Sequence, residues 1–425
     1  MAEVHVVGAG LAGLSTALHL ASRGVRVRLH EASGHAGGRC RSYDDARLGR
    51  RIDNGNHLVL SGNRSTRAYM ALAGSPDAMR AAEEAAFPFV DLAAGERWTV
   101  RLNRGRLPWW IASPARRTPG TSARDHLGAL RLARARPEQT VAQAIPGRGP
   151  IWQRFWEPLT LAILNDRPER GSARLLWRVF AETVARGGAH CRPMVAPDGL
   201  GAALVDPALA RLGELGAAVR LGRPLRALER SEGRVAVLVF DGERIALGPA
   251  DRVVLALPPS RLSPLMPELD LPDDAHPILN LHVRVEDAPA LVHAPPLTGV
   301  LGARAQWVFV RRDVVSITVS APDRQPADEE ARRELVDRLW AETKAALGLG
   351  GARMAAHRLL VEKRATFDQS PAALLRRPRP QTALGNLILA GDVTDTGLPA
   401  TIEGAIRSGE TAARLAAPDA AGRSL

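Results

Sequence analysis

Short apolar runs and longer stretches of helical period alternate along this chain, and the sharpest pattern stands at its start. Val4-His5-Val6-Val7 is uncharged and mostly β-branched, and it runs directly into Gly8-Ala9-Gly10-Leu11-Ala12-Gly13. The pattern predicts a strand, a tight turn and a helix. Leu11, Leu14, Leu18 and Ala21 recur at helical spacing and Gly24 ends the run. Val25, Val27 and Leu29 then alternate with Arg26, Arg28 and His30, a second strand closed by Glu31.

Later stretches read less evenly. In Ile52-Asp53-Asn54-Gly55-Asn56-His57-Leu58-Val59-Leu60, polar residues interrupt a strand-like run, which a half-buried strand does not need and a polar cofactor edge does. From about Pro76 to Pro193 the pattern predicts helical runs broken by Pro and Gly. Within it, Ile151–Asn165 is strongly apolar around Trp152, Phe155 and Trp156, with Glu157, Asn165 and Asp166 as polar exceptions, and can wall a greasy pocket. A helix is expected from about Asp198, a strand at 217–221, a hairpin across Asp241-Gly242, and a buried strand at 253–257 stopped by Pro258-Pro259. Strands at 278–285, 307–310 and 314–319 precede a helix at 329–347. Arg376–Pro380 reads as a short basic linker, Asn386–Ala390 as a strand ending in Gly391-Asp392, and 396–406 as a loop feeding a helix. No repeat or low-complexity segment interrupts this order.

Length and composition narrow the class. The 425 residues suit two or three domains with a sizeable core. The first strand begins almost at once and no apolar run approaches the roughly 18 residues of a membrane span, so a cytoplasmic protein is expected. Cys40 and Cys191 are too few for a disulfide framework and lack metal-ligand spacing, so both are expected reduced and no metal is expected. Net charge is +12; of 57 basic residues only Lys344 and Lys363 are lysine, leaving 55 arginines. That bias most simply reflects nucleotide composition, while its sign suits an anionic membrane surface or a phosphorylated ligand. Scattered basic residues and an aromatic content of 4% argue against nucleic acid. Leu107-Pro108-Trp109-Trp110-Ile111, followed by Arg116-Arg117, reads either as a core helix start or as an interfacial membrane anchor.

The glycines of the first turn have separate uses: Gly8 permits the turn, Gly10 lets backbone approach a pyrophosphate, and Gly13 lets the helix pack on the strand. Unpaired amides at the helix start, including those of Leu11 and Ala12, face the phosphates. Glu31, 18 positions after Gly13, is placed for an adenosine ribose, with Ala32 beside it. A second cluster, Gly34 to Arg39, offers Gly37 and Gly38 beneath a pyrophosphate and Arg39 to neutralise it.

These elements, with Leu389-Ala390-Gly391-Asp392 and the Pro399-Ala400-Thr401-Ile402-Glu403-Gly404-Ala405 segment, resemble the amine oxidase and carotenoid desaturase superfamily of FAD enzymes. Arg39-Cys40-Arg41-Ser42-Tyr43, Asp53 to His57, Trp156-Glu157-Pro158-Leu159 and Glu362 to Phe367 are similar to the hydroxysqualene dehydroxylase family of bacterial hopanoid synthesis. The resemblance implies an α/β fold: a Rossmann-like FAD-binding domain of the two-dinucleotide-binding, glutathione-reductase-like type, with an α+β substrate domain. Both are discontinuous, the first expected from 1–75, 194–260 and 376–425, the second from 76–193 and 261–375. It carries over pyrophosphate contacts to Gly8, Gly10 and Gly13, ribose to Glu31, phosphate to Arg39 and the ribityl-pyrophosphate region to Gly391 and Asp392. Asn54, Gly55, Asn56 and His57 are placed along the flavin, and Leu225 against adenine. A helix starting near Pro399, with Leu398, Ala400 and Thr401, points its positive end at the flavin pyrimidine.

What such a flavin does depends on which carbon the protein presents to it. Amine oxidases of the superfamily frame their substrate with tyrosines, and this chain has only Tyr43 and Tyr69. An apolar isoprenoid remains, either desaturated as carotenoids are or stripped of a hydroxyl. The second reaction requires an acid and a dry pocket. Asp53 and His57 are the first candidates for that acid, Glu157 and Asp166 the reserves, and Lys363 the candidate for an ammonium near flavin N5. An unidentified electron donor would reduce the flavin. A flavin-free prenyl-binding protein of the same fold is the non-enzymatic alternative.

Overall fold

In the computed structural model, which describes residues 2–418 apart from 273 and 287, the outermost ends of the expected 1–75 and 376–425 segments lie outside the described residues. Five parallel strands form one sheet in the order Ala218–Arg220, Arg26–His30, Glu3–Val7, Arg252–Leu255, Leu387–Leu389. Val7, Leu255 and Leu389 stand level in register, so the chain leaves three neighbouring strands at one edge. That carboxyl edge is where open parallel sheets bind ligands.

Strand alternation gives each face its cover. Val4, Val6, Val254 and Ile388 pack against the helices Leu11–Ala21, Asp206–Glu214 and Ile402–Ala416. Val7, Val253, Leu255, Leu387 and Leu389 meet Val235, Leu238 and Phe240 of an antiparallel three-stranded layer, Leu225–Ser231, Arg234–Phe240 and Glu243–Ala246. His5 and His30 are buried between these layers, with His30 stacked on Phe240 at 4.6 Å between ring centroids. The first and last helices pack closely because Gly409 has no side chain; a Cβ there would lie 2.3 Å from the Ala12 carbonyl oxygen. Ser15 and Thr16 donate their hydroxyls to the Ile406 and Gly409 carbonyls across that contact.

A second body is built on a seven-stranded sheet ordered Met354–Phe367, Ala275–Val285, Val314–Ser320, Trp307–Arg311, Leu297–Leu301, Ala86–Asp91, Glu96–Arg101. The helix Glu329–Leu347 covers one face, setting Leu335, Val336, Leu339 and Trp340 on Leu279, Leu281, Val283 and Ile317. The other face carries Asn280, His282, Ser316 and Thr318, all buried. Here the expectation of helical runs throughout 76–193 is corrected: Arg80–Ala81, Ala86–Asp91 and Glu96–Arg101 are strands. Phe89 stacks on Trp98 across that hairpin and lies over Gly299, where a Cβ would come within 2.4 Å of the ring. The hairpin is local, and the strand that joins it to the sheet, Leu297–Leu301, is far along the chain. The apolar segment from Ile151 does form helix, Trp152–Trp156 continuing into Glu157–Leu164.

Candidate functional site

The first turn has the geometry its glycines require. Gly8 adopts φ +102°, and a Cβ on it would lie 2.4 Å from the Ala256 carbonyl oxygen. A Cβ on Gly13 would fall 1.8 Å from the Gly8 carbonyl oxygen, so helix and turn are in backbone contact. Gly10 is different. It is extended, and a Cβ there meets nothing within 4 Å. The helix starting at Leu11 has no side-chain cap and no acid in its first turn, which leaves the amides around Leu11, Ala12 and Gly13 for an anion. Glu31 accepts from the Ala9 and Ser33 amides at 2.7 and 2.9 Å, fixing its carboxylate beside the turn, with Ala32 next to it. Its backbone pairs with Arg220 and Arg223, which brings the start of the Leu225 strand close to it. Gly37 donates its amide to the Ala9 carbonyl, and a Cβ on Gly38 would lie 3.3 Å from the Gly10 Cα, so the two glycine loops pack back to back.

Arg39 joins the two ends of the chain. One guanidinium nitrogen donates to both oxygens of Asp392, 353 residues away, at 2.7 Å, and another donates to the Ala365 carbonyl at 2.7 Å. Asp392 is buried and the contact raises the Arg39 pKa. Gly391, at φ +117°, donates its amide to Ser408 of the last helix at 2.8 Å. That helix begins at Ile402 with Thr401 as cap, three residues later than expected; Leu398, Pro399 and Ala400 are the approach to it. Ala400 donates to Gln369, whose amide in turn reaches the Leu164 carbonyl. Glu403, in the first turn, accepts from the Ser65 and Thr66 amides and from Arg407.

Two arginines missed in the sequence hold this site. The expected basic linker is no linker at Arg377: that side chain is buried and donates to the Asp392, Thr394 and Leu398 carbonyls and to the Thr396 hydroxyl. Arg311 donates to Asp53 at 2.6 Å. Asp53 also accepts from the Ser42 hydroxyl and from the Leu200 amide at 2.9 Å, so both its oxygens are occupied by donors.

Beyond Asp53 the polar run crosses to the second sheet. Asn54 accepts from Arg41 and donates to Glu362, each at 3.1 Å. Asn56 donates to Thr318 at 3.0 Å and to Asn280 at 3.3 Å, and a Cβ on Gly55 would sit 3.5 Å from both Asn280 and the His57 ring. Burial and the neighbouring Arg39 guanidinium depress His57, against the pull of Asp53. His282 bonds the Ser316 hydroxyl at 2.8 Å, its Nε2 is buried without a partner, and burial pushes it down to about 4. Strand alternation shows Asn280 and His282 in the sequence, but as an ordinary polar face. Lys363 is exposed on a bulge, 363–365, whose Ala365 carbonyl is the one bonded to Arg39.

The reserve carboxyls lie on the helical side. Glu157 lines a cavity of about 180 Å³ with Leu161, Leu279 and Val319. Burial, then the nearby Glu169, raises its pKa. Asp166 is buried and also raised by burial; His276 stands 3.7 Å away and Arg170 3.6 Å. Cys40 and Cys191 are buried free thiols, each pushed up to about 12 by burial, which makes both unreactive. Tyr69 is buried with its hydroxyl on the Leu204 carbonyl, and Tyr43 pairs with Arg358.

An open Gly10 before an uncapped helix, an acid ending the second strand, and a guanidinium–carboxylate pair closing both ends fit a flavin dinucleotide and define a flavin oxidoreductase of the two-domain type. The family model described as flavin containing amine oxidoreductase matches residues 11–417. Solved structures agree in fold: cyclohexylamine oxidase from Brevibacterium oxydans, TM-score 0.70 at 14% identity over 98% of this chain and 99% of that one, and a putrescine oxidase variant, TM-score 0.69 at 17% identity over 98% and 99%. Full-length relatives named hydroxysqualene dehydroxylase are 44% identical in Rhodopseudomonas palustris (97% of each chain) and 43% identical in Sinorhizobium fredii (97% of this chain, 98% of the relative). A third, from Zymomonas mobilis, is 39% identical over 98% and 99%. The chain belongs to the hydroxysqualene dehydroxylase branch of the flavin containing amine oxidoreductases, an FAD-dependent enzyme family.

Proposed function

We propose that this chain removes the hydroxyl of hydroxysqualene reductively to give squalene. The observation that carries this reading is identity of 39 to 44% over at least 97% of the chain with relatives of that name. FAD, when bound in its reduced form, supplies the hydride. Gly10, the first-helix amides, Glu31, Arg39 and Asp392 bind it, and Arg377 fixes the loop that carries Asp392. The lost hydroxyl leaves as water only if protonated, and the donor must keep a proton near neutral pH. Asp53 is committed to Arg311, Ser42 and Leu200 and serves as a brace between the two bodies. His57 is depressed. Glu157 has a raised pKa, but its cavity is lined by Leu279, Val319 and Leu335, on the face of the second sheet that the helix Glu329–Leu347 covers, opposite Asn280 and Thr318. Asn280 and Thr318 are polar partners of the flavin strap rather than acids. Between turnovers an external donor must return two electrons to FAD.

Flavin-reduced protein incubated separately with hydroxysqualene and with phytoene tests the reading. Squalene from the first and no desaturated product from the second is expected; the reverse reassigns the chain to desaturation. Glu157→Gln, with flavin content matched to the parent, is expected to leave squalene formation at the parental rate, and a loss of about 100-fold or more would place Glu157 in the chemistry.

A further inference from the structure

The strongest feature that this function leaves unused is a surface on residues 101–136. Leu107 is 81% exposed, Trp109 54%, Leu127 48% and Leu130 52%, four of the eight large hydrophobic side chains exposed among the described residues. The two stretches that carry them are packed together. Trp110, next to Trp109, meets the ring of His126, next to Leu127, at 5.2 Å between centroids. Arg117 ties the same two loops by donating to the Ile111 and Thr121 carbonyls, and the Arg116 guanidinium lies 4.8 Å over the Trp109 ring.

Charge around the patch is one-sided. Residues 101–136 contain nine arginines and one acid, Asp125, which is taken up by the Ser122 amide and hydroxyl. Arg104, Arg106, Arg124, Arg131 and Arg134 are exposed and have no carboxylate partner among the described residues. Elsewhere some exposed arginines are matched, as in Arg226 with Asp241, Arg244 with Glu229 and Arg353 with Glu286, and others, such as Arg47, Arg67 and Arg80, have no carboxylate partner among the described residues. Unmatched cations around protruding Leu and Trp side chains are complementary to a surface that is anionic outside and apolar beneath, which is an acidic bilayer. An acidic protein would need an apolar face of its own to cover the four tips, whereas an acidic bilayer supplies both.

The root of the patch adds direction. Trp110 is buried in a cluster with Phe87, Phe89, Trp98 and Phe155, which reaches the edge of the seven-stranded sheet. We propose that residues 101–136 dock on an anionic lipid surface, with Leu107, Trp109, Leu127 and Leu130 inserted among the acyl chains. The apolar cluster behind them then opens toward the bilayer, where an isoprenoid is dissolved. Docking itself does not depend on which isoprenoid is turned over.

Flavin-loaded full-length protein is sedimented with vesicles of phosphatidylcholine containing 30% phosphatidylglycerol (about one anionic lipid in three), and with phosphatidylcholine alone. Binding at least about tenfold tighter to the anionic vesicles, weakened by salt, is expected. Leu107→Ser with Trp109→Ser should lower it about tenfold or more, and Arg104→Glu with Arg106→Glu, which alters no packed side chain, should do the same. Both double variants should keep parental turnover on detergent-dispersed substrate and lose it on substrate delivered in vesicles. Equal binding to both vesicle types, or equal binding by parent and both variants, overturns the proposal. So does polyglutamate that competes fully with the vesicles while the Leu107 and Trp109 variant binds like the parent, which assigns the patch to an acidic protein.

Discussion

At the scale of single residues, three glycines in one turn do three different things, and the structure separates them by what a methyl group would meet. Gly10→Val adds a side chain into space that no protein atom fills, on backbone that is already extended. The variant should therefore unfold at the parental temperature while binding FAD at least about 100-fold more weakly, since the side chain occupies the phosphate's position. Gly13→Ala should do the opposite first: the 1.8 Å approach to the Gly8 carbonyl costs about 3 kcal/mol or more of stability. Denaturant unfolding of the two apoproteins, followed by flavin titration, distinguishes cradle from packing. Arg39 is as specific, because its fork spans Asp392 and the Ala365 carbonyl at once. Arg39→Lys keeps the charge and loses the fork, and flavin retention after dialysis should fall about tenfold.

At the scale of elements, the loop between the Leu387–Leu389 strand and the last helix is shaped by a side chain outside it. Arg377 gives its guanidinium to three carbonyls and a hydroxyl of residues 392–398, and its Cζ lies 5.2 Å from the Phe367 ring centroid. Arg377→Ala leaves those buried acceptors unpaired and should cost about 3 to 5 kcal/mol, with loss of flavin before global unfolding. Urea unfolding monitored by flavin release and by far-UV circular dichroism resolves the order; coincident transitions would mean that the loop is not a separate unit. The polar face of the second sheet has a related logic. Asn280, Thr318 and Asn56 satisfy one another, so the strap from Asn54 to His57 is bonded to the second sheet through Asn56 as well as to Arg41 through Asn54.

At the scale of the whole molecule, both bodies bury histidines that the fold keeps neutral. His30, between the parallel sheet and its three-stranded cover, is pushed down to about 3, and His282, on the second sheet, to about 4. Burial is the leading cause in each. A base whose folded pKa is depressed leaves stability intact above its unfolded pKa near 6.5, and stability is lost as pH falls from there toward the folded value. Between pH 6.5 and 4 each of the two should remove roughly 1.4 kcal/mol per pH unit. Unfolding free energy measured at pH 7, 6 and 5 should fall with that slope, and His282→Asn should reduce the slope by about one histidine's share. A flat profile would show that these rings are reached by protons in the folded protein.

The sequence by itself determined what depends on neighbours a few residues apart. The β-branched run before Gly8, the helical period after it, the alternation up to Glu31, the Asp241-Gly242 hairpin and the helix Glu329–Leu347 are all written in local spacing. Tertiary structure decided what depends on which strand lies beside which. Asn280 and His282 stand out in no way within the strand expected at 278–285, because alternation gives a strand two faces without saying what covers each. The strands Ala86–Asp91 and Glu96–Arg101 pair as a local hairpin, but what sets them into a sheet, the parallel strand Leu297–Leu301 beside Ala86–Asp91, is supplied from far away. Arg377 read as linker because charge next to proline is usually solvated, and only folding brings it a shell of carbonyls whose hydrogen bonds repay its burial. Arg39 and Asp392 were each recognisable, yet their contact exists only because Val7, Leu255 and Leu389 end level in one sheet, which is a property of register and not of any stretch of chain.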